Sequence, residues 1–164
     1  MTPGSRYRGF ARVEREYVRR RVYPGFEWAV FDGPSPRHRL DVPLEQARIA
    51  LVASAGAHLR EHPPFALGRD GDASYREIPA GSEEVELTHS GYDVGRAARD
   101  PDVVFPLALL RELASEGLIG ELAPRAFSFM GYIPDTAPLL SETGPAVARE
   151  LVADAADLVL LVPS

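Results

Sequence analysis

Most of the side chains with chemistry in this sequence flank or occupy one long polar stretch. His58 closes the run Ser54-Ala55-Gly56-Ala57-His58, His62 follows, and Asp72, Tyr75, Arg76 and Glu77 crowd the later part of a segment running from Leu59 to Gly81. His89 and Asp93 come soon after. An arginine fork matches a carboxylate through two parallel hydrogen bonds, and an imidazole titrates near neutral pH, where it can give or take a proton. Histidine and aspartate also bind metals, so His58, His62, His89, Asp72 and Asp93 form a metal-hydrolase alternative. The His58–His62 spacing suits one helix face, but Pro63 and Pro64 break a helix there. A plainer reading has Asp72, Arg76 and Glu77 satisfying one another and the loop backbone. With Pro63-Pro64, Gly68 and Asp70-Gly71-Asp72, the Leu59–Gly81 stretch is too punctuated for a helix and too polar for a core strand. Ordered loops of that length usually carry function, which makes this one the leading site candidate.

The elements that must position these residues alternate between strand and helix. Arg48–Ala53 is a continuous apolar run of the kind buried inside a parallel sheet. The small residues after it allow backbone amides to approach an anion, but the pattern is not the Gly-x-Gly-x-x-Gly of a dinucleotide site, and no nucleotide is expected. Val85–His89 alternates like a half-exposed strand. Leu107, Leu110, Leu113 and Ala114 make a helical face behind Pro106, and Gly117 and Gly120 stop it. Phe127–Tyr132 reads as a third strand and turn, then a helix runs from Pro138 or Pro145 to Asp154, and Ala156–Val162 is a closing strand. This order implies an α/β fold with a Rossmann-like, doubly wound, mainly parallel sheet. The expected organisation is one domain over 1–164, with a basic helix and aromatic cover segment over 1–40 and the core over 41–164. In the former, Phe10, Val13, Tyr17 and Val18 stripe an arginine-rich helix over 6–23, and Phe26–Phe31 surrounds the only tryptophan.

Composition narrows the chemistry. The 164 residues carry a net charge of −6, unsuited to general nucleic-acid or anionic-membrane binding. No run approaches a membrane span and no secretory signal opens the chain, so the expected location is cytoplasmic. Cysteine is absent, which removes thiolate catalysis and disulfides from these residues. All 18 basic residues are arginine, so Schiff-base and phosphate-loop lysines are excluded too.

Five stretches taken in order, Leu51–Leu59, Gly71–Pro79, Val103–Leu107, Gly117–Pro124 and Phe127–Tyr132, resemble the glycine/sarcosine/betaine/D-proline reductase family, selenoprotein B type. The resemblance runs from about residue 40 onward and departs at Asp102, where the family tends to carry asparagine. It implies reductive cleavage of a C–N bond in a small amino acid or related carboxylate. A selenocysteine or cysteine just beyond the closing strand would be the nucleophile, and a pyruvoyl group on a partner subunit can hold the amine. No residue of this chain can be that nucleophile, and a sheet ending on its last strand points to a chain cut short at a selenocysteine codon or to obligate partnering. Within the resemblance, Arg76 is expected to bind the carboxylate with Asp72, Tyr75 and Asp93, while His58 and Glu77 handle protons. Partners would be other reductase subunits or further copies of the chain. A non-catalytic binding or scaffolding subunit is the alternative.

Overall fold

The computed structural model describes residues 38–164 together with Val13, Glu16 and Tyr17. The chain divides into two compact units, Met1–His38 and Arg39–Ser164. In the first, Val13, Glu16 and Tyr17 are helical. The rest of the expected 6–23 helix, and the segment at Phe26–Phe31, lie outside the described residues.

The second unit contains strands β1 (Arg48–Ala53), β2 (Ala57–His58), β3 (Tyr75–Pro79), β4 (Glu86–Leu87), β5 (Glu121–Leu122), β6 (Arg125–Phe129) and β7 (Leu158–Val162), with helices α1 (Val94–Ala97), α2 (Leu107–Ser115) and α3 (Gly144–Ala153). β1 is the central strand. On one flank it pairs in parallel with β7, from Ile49↔Leu158 to Ala53↔Val162. On the other it pairs in parallel first with β5, Ile49↔Leu122, and then with β6, Val52↔Phe127. β3 adds an antiparallel edge to β6, and β2 and β4 make a separate two-stranded ribbon.

Strand alternation sorts the core onto the two sheet faces. Ile49, Leu51 and Ala53 of β1, Ile78 of β3 and Ala126 of β6 pack with Phe105, Ile119 and with Leu107 and Leu110 of α2. Val52, Tyr75, Phe127 and Phe129 point the other way and pack with Val147 and Leu151 of α3. Each face of the sheet is thus covered by a helix, which is why β1 tolerates an unbroken apolar sequence. Phe127 is fully buried, a side chain whose removal from water contributes about 2–3 kcal/mol. The expected α/β class and mainly parallel sheet are present, while a Rossmann-like double winding is not established by these strands.

The structure corrects the reading of the long polar segment at its end. Tyr75–Pro79 is a strand, and the loop stops at Ser74. It was hidden because an edge strand buries little: of its residues only Ile78 is buried, and Pro79 can end an edge strand without breaking a ladder. Asp102 sits in a 3-10 turn and accepts the Ala108 amide at 3.0 Å, at the start of α2. That bond needs an acceptor, which asparagine could also supply, so the departure at this position preserves it.

Candidate functional site

β1, β6 and β7 run parallel, so their C-terminal ends share one edge, and the chain after each turns into a loop there. Gly56, at φ 64°, lets the chain leave β1 so close to the next segment that a Cβ would lie 2.0 Å from the Thr88 carbonyl. The approach is fixed by hydrogen bonds from Gly56 N to Phe129 O (2.7 Å), Thr88 N to Gly56 O (2.9 Å) and Ala57 N to the buried Ser128 Oγ (2.8 Å). β3 is antiparallel, so its start at Tyr75 lies beside Phe129 at the same edge. Both ends of the 59–74 loop are therefore anchored where the parallel strands finish. Open α/β sheets carry their ligands at this edge.

The predicted site residues reach this edge engaged to different degrees. His58 is 3% exposed and uses both ring nitrogens: Nδ1 lies 2.9 Å from the Leu59 carbonyl and Nε2 2.9 Å from the Thr88 hydroxyl. A carbonyl only accepts, so Nδ1 carries the hydrogen and Nε2 accepts from Thr88. Arg76 donates Nε to Pro63 O (2.9 Å) and Nη1 to Ser74 Oγ and Tyr75 O, with its guanidinium 4.3 Å from the ring centre of the buried Phe65. Asp72 accepts from the amides of Ala66 (2.9 Å) and Ser74 (2.8 Å) and from the Ser74 hydroxyl. Burial would raise its pKa, but those bonds and the Arg76 charge outweigh it and hold the carboxyl below its ordinary value. Tyr75 packs its ring against Phe127 and Phe129. Asp93 caps α1 by accepting the Arg96 amide at 3.2 Å. Glu77 is drawn away, into an ion pair with Arg125 at 2.9 Å.

His62 accepts the Leu59 amide at 3.3 Å. Among the described residues no three histidine, aspartate or glutamate side chains gather to hold a metal ion, so the metal-hydrolase constellation is not assembled there.

His89 is the edge residue whose position the sequence did not disclose. Its Nδ1 accepts the Gly91 amide at 2.8 Å, so the ring hydrogen resides on Nε2. Its ring stacks on Tyr92 with centres 4.3 Å apart, and the Tyr92 hydroxyl donates to Ala55 O at 2.6 Å. Nε2 is buried without a hydrogen bond to any described residue, beside Ser54 and Gly131. Burial lowers the His89 pKa, partly offset by the nearby Ser54 carbonyl, and raises that of Tyr92. Gly131, at φ 93°, is where the chain leaves β6; a Cβ there would stand 2.8 Å from Ser54 O and 3.0 Å from His89 Nε2. Beyond β7, Ser164 N donates to Ser54 Oγ at 2.9 Å. The ends of β1, β6 and β7 thus meet around Ser54. Only the place of His89 after an alternating run, just before Ser-Gly-Tyr, could have signalled this in sequence.

The class so defined is an α/β domain with a mainly parallel sheet and a loop-built edge at the carboxyl ends of its strands. The sequence matches the glycine/sarcosine/betaine reductase selenoprotein B family over residues 31–164, and the chain belongs to that family. It is 40% identical over 120 residues to the D-proline reductase subunit gamma of Acetoanaerobium sticklandii, a match covering 72% of this chain and 49% of that protein. It is 32% identical over 125 residues to the glycine reductase complex component B subunit gamma of Carboxydothermus hydrogenoformans, covering 72% of this chain and 28% of the relative. The sarcosine reductase complex component B subunit beta of Peptoclostridium acidaminophilum is 30% identical over 99 residues, 57% of this chain and 22% of the relative. The chain therefore spans about half the length of the first relative and under a third of the others. No solved structure matches it. Among the described residues no helix is long and apolar enough to cross a membrane.

Proposed function

We propose that the chain is a component of a glycine, betaine, sarcosine or D-proline reductase-type oxidoreductase, which cleaves a C–N bond of a small amino acid or related carboxylate reductively. Family membership over residues 31–164 carries this reading. The 164 residues hold no cysteine, so the thiol or selenol belongs outside them, and a pyruvoyl group, where one is used, belongs to a partner subunit. The thiol or selenol supplies a soft nucleophile and, with a second thiol, the electron pair that replaces C–N by C–H as the amine leaves. The edge suits such a neighbour: the Ser54 hydroxyl, the neutral imidazole of His89 and the tight turn at Gly131 lie beside the end of β7.

Substrate contacts by Asp72, Tyr75, Arg76 and Asp93, and proton handling by His58 and Glu77, belong to this proposal. His58, Asp72, Arg76, Glu77 and Asp93 each already hold an internal hydrogen bond or ion pair, so each must exchange a protein partner for substrate to act directly. The test is the assembled complex, assayed with small amino acids and a dithiol for reductive C–N cleavage, read as released amine or, for a ring substrate such as proline, as the ring-opened amino acid. Substrate-dependent cleavage is expected; a complex that yields neither product, though intact by mass, overturns the reading.

β7 favours the second reading, a non-catalytic binding or scaffolding subunit. Leu158, Leu160 and Leu161 are exposed, and β7 has a paired strand on one flank only among the described residues. Edge strands of stable monomers usually carry charge or proline, and β7 has neither. Stable monodisperse monomer on purification would overturn obligate partnering.

A further inference from the structure

We propose that the groove between residues 69–73 and 133–138 binds a small zwitterion, with Arg69 taking its carboxylate and Asp70 and Asp135 its ammonium group. This deepens the reductase reading by placing the substrate carboxylate on Arg69 in place of Arg76, whose guanidinium is held by protein acceptors, and rests on that reading for the reaction alone. The groove has a volume of about 390 Å³ and is lined by Arg69, Asp70, Ala73, Ile133, Pro134, Asp135 and Pro138. It lies at the edge described above, because residues 133–138 follow directly from the turn that ends β6.

Its walls are joined. The Gly71 amide donates to Gly68 O at 3.1 Å, closing a turn that presents Arg69 and Asp70 at its two central positions. The Asp72 amide donates to Tyr132 O at 3.2 Å, and a Cβ on Gly71 would stand 2.2 Å from that carbonyl. One wall is therefore pinned to the other at the turn.

The charges are what single this groove out. Arg69 makes no ion pair or hydrogen bond with a described residue, although two carboxylates line the same groove. Asp70 has no such partner either, and Asp135 uses only Oδ1, to accept the Ala137 amide at 3.0 Å. Charges of opposite sign that share a groove without pairing leave a gap that a molecule bearing both can bridge. A lone anion would face two carboxylates, and a lone cation would face the guanidinium. Ile133, Pro134 and Pro138 offer apolar contact for a small carbon skeleton.

Two other cavities among the described residues lack this arrangement. One of about 470 Å³ is lined by Glu61, Glu83, Glu84 and Glu86, and its Arg60 is already paired with Glu86 at 3.1 Å. One of about 80 Å³ beside α2 has its Arg111 spent on the carbonyls of Ala80 and Ser82. Arg76, next along the loop, is held by protein acceptors.

The experiment is amide NMR of the full 164-residue chain titrated with glycine, with acetate and with methylammonium. Glycine is expected to shift the amides of 69–73 and 133–138 saturably, with a Kd on the order of 1 mM, as suits solvent-exposed charges. Acetate and methylammonium should bind at least about fivefold more weakly, and Arg69→Gln and Asp135→Asn should each weaken glycine by about that factor. Arg60→Gln should leave it unchanged. No saturable shift, shifts centred elsewhere, or acetate binding as well as glycine would overturn the proposal. If the groove binds glycine and Arg69→Gln weakens it, yet the same variant in the assembled complex leaves turnover intact, the substrate assignment fails and the zwitterion site stands.

Discussion

Where β1, β6 and β7 begin, charge holds the sheet together; where they finish, backbone approach and neutral side chains do. At the beginning, Arg48 donates to Glu121 at 2.6 Å and to the Asp154 carbonyl at 3.0 Å, while its amide donates to Asp157 at 2.8 Å. Arg125 gathers Glu77, Glu150 and Asp154 at 2.6–2.9 Å, tying β3 and α3 to β6 and raising its own pKa far above its ordinary value through the bonds to Asp154, Glu150 and Glu77. At the other end Gly56 and Gly131 bring strand ends into contact, His58 and His89 stand among carbonyls and hydroxyls, and Arg69 lies out on a loop without a partner among the described residues. An end whose strand arginines are matched with carboxylates is suited to stability. An end with an orphan imidazole nitrogen and an unpaired arginine is suited to meeting something else.

The largest effect should come from breaking the paired end. Arg125→Met leaves three carboxylates together, one of them, Asp154, with a side chain only 8% exposed. A loss of about 3 kcal/mol is expected at neutral pH, read as a lower urea midpoint, since removing one partner strands the charges it neutralised. Glu77 and Glu150 are partly exposed, which holds the loss at the low end of that seen for buried pairs. Little change in the midpoint would show that charge does not hold this end.

Gly131→Ala tests the opposite end. Its φ of 93° disfavours any side chain and its Cβ would crowd Ser54 O and His89 Nε2, so a loss of about 2 kcal/mol is expected. The change should also perturb the His89 and Tyr92 ring resonances; an effect on stability without one on those rings would separate Gly131 from the proposed meeting point of the strands.

The pH response of the same end follows from His89. A second ring proton must go to Nδ1, where it would face the Gly91 N–H instead of accepting it. Burial lowers the folded pKa below the ordinary 6.5, so the folded state binds fewer protons than the unfolded one there. The stability contributed is fully present above 6.5 and is lost as pH falls through the lower folded value. Thermal unfolding between pH 7.5 and 5 should show this decline, smaller than the Gly131 effect, and His89→Gln should flatten it. An unaltered slope in the variant would place the titration elsewhere.

What was legible in sequence follows the same division. β1 was read at its observed bounds because an apolar run needs no partner to declare itself, and α2 declared itself through its leucine spacing. β3 was missed because its stability comes from pairing with β6 and from the Glu77–Arg125 bridge, partners 48 positions apart in sequence. The loop at the finishing end drew attention as a site candidate through its length and residue types, but the state of its residues was not legible. Arg76 looks like a ligand fork and is held by loop carbonyls, while Arg69, with nothing in its spacing to recommend it, lines a groove without a partner among the described residues. Hydrogen-bond commitment depends on three-dimensional neighbours, and composition says nothing about them.

Asp72 makes the finest test of the contrast, because it is a charge doing local structural work at the end where the strands finish. Both its oxygens accept, Oδ1 from Ser74 and Oδ2 from Ala66. Asp72→Asn replaces one acceptor by a donor facing an N–H, so a loss of about 1 kcal/mol is expected near pH 6. The carboxyl is held below its ordinary 3.8, so its contribution is present above that value and disappears as pH falls through the lower folded one. The difference between variant and parent in urea midpoint should therefore shrink as pH is lowered from 5 toward 2.5. The shifts of residues 66–74 should change at every pH, because the amide cannot reproduce the two-sided acceptor that folds the 66–74 turn. A loss equal to that of Arg125→Met would mean that charge organises both ends of the sheet, and the division between a stabilising end and a binding end would have to be given up.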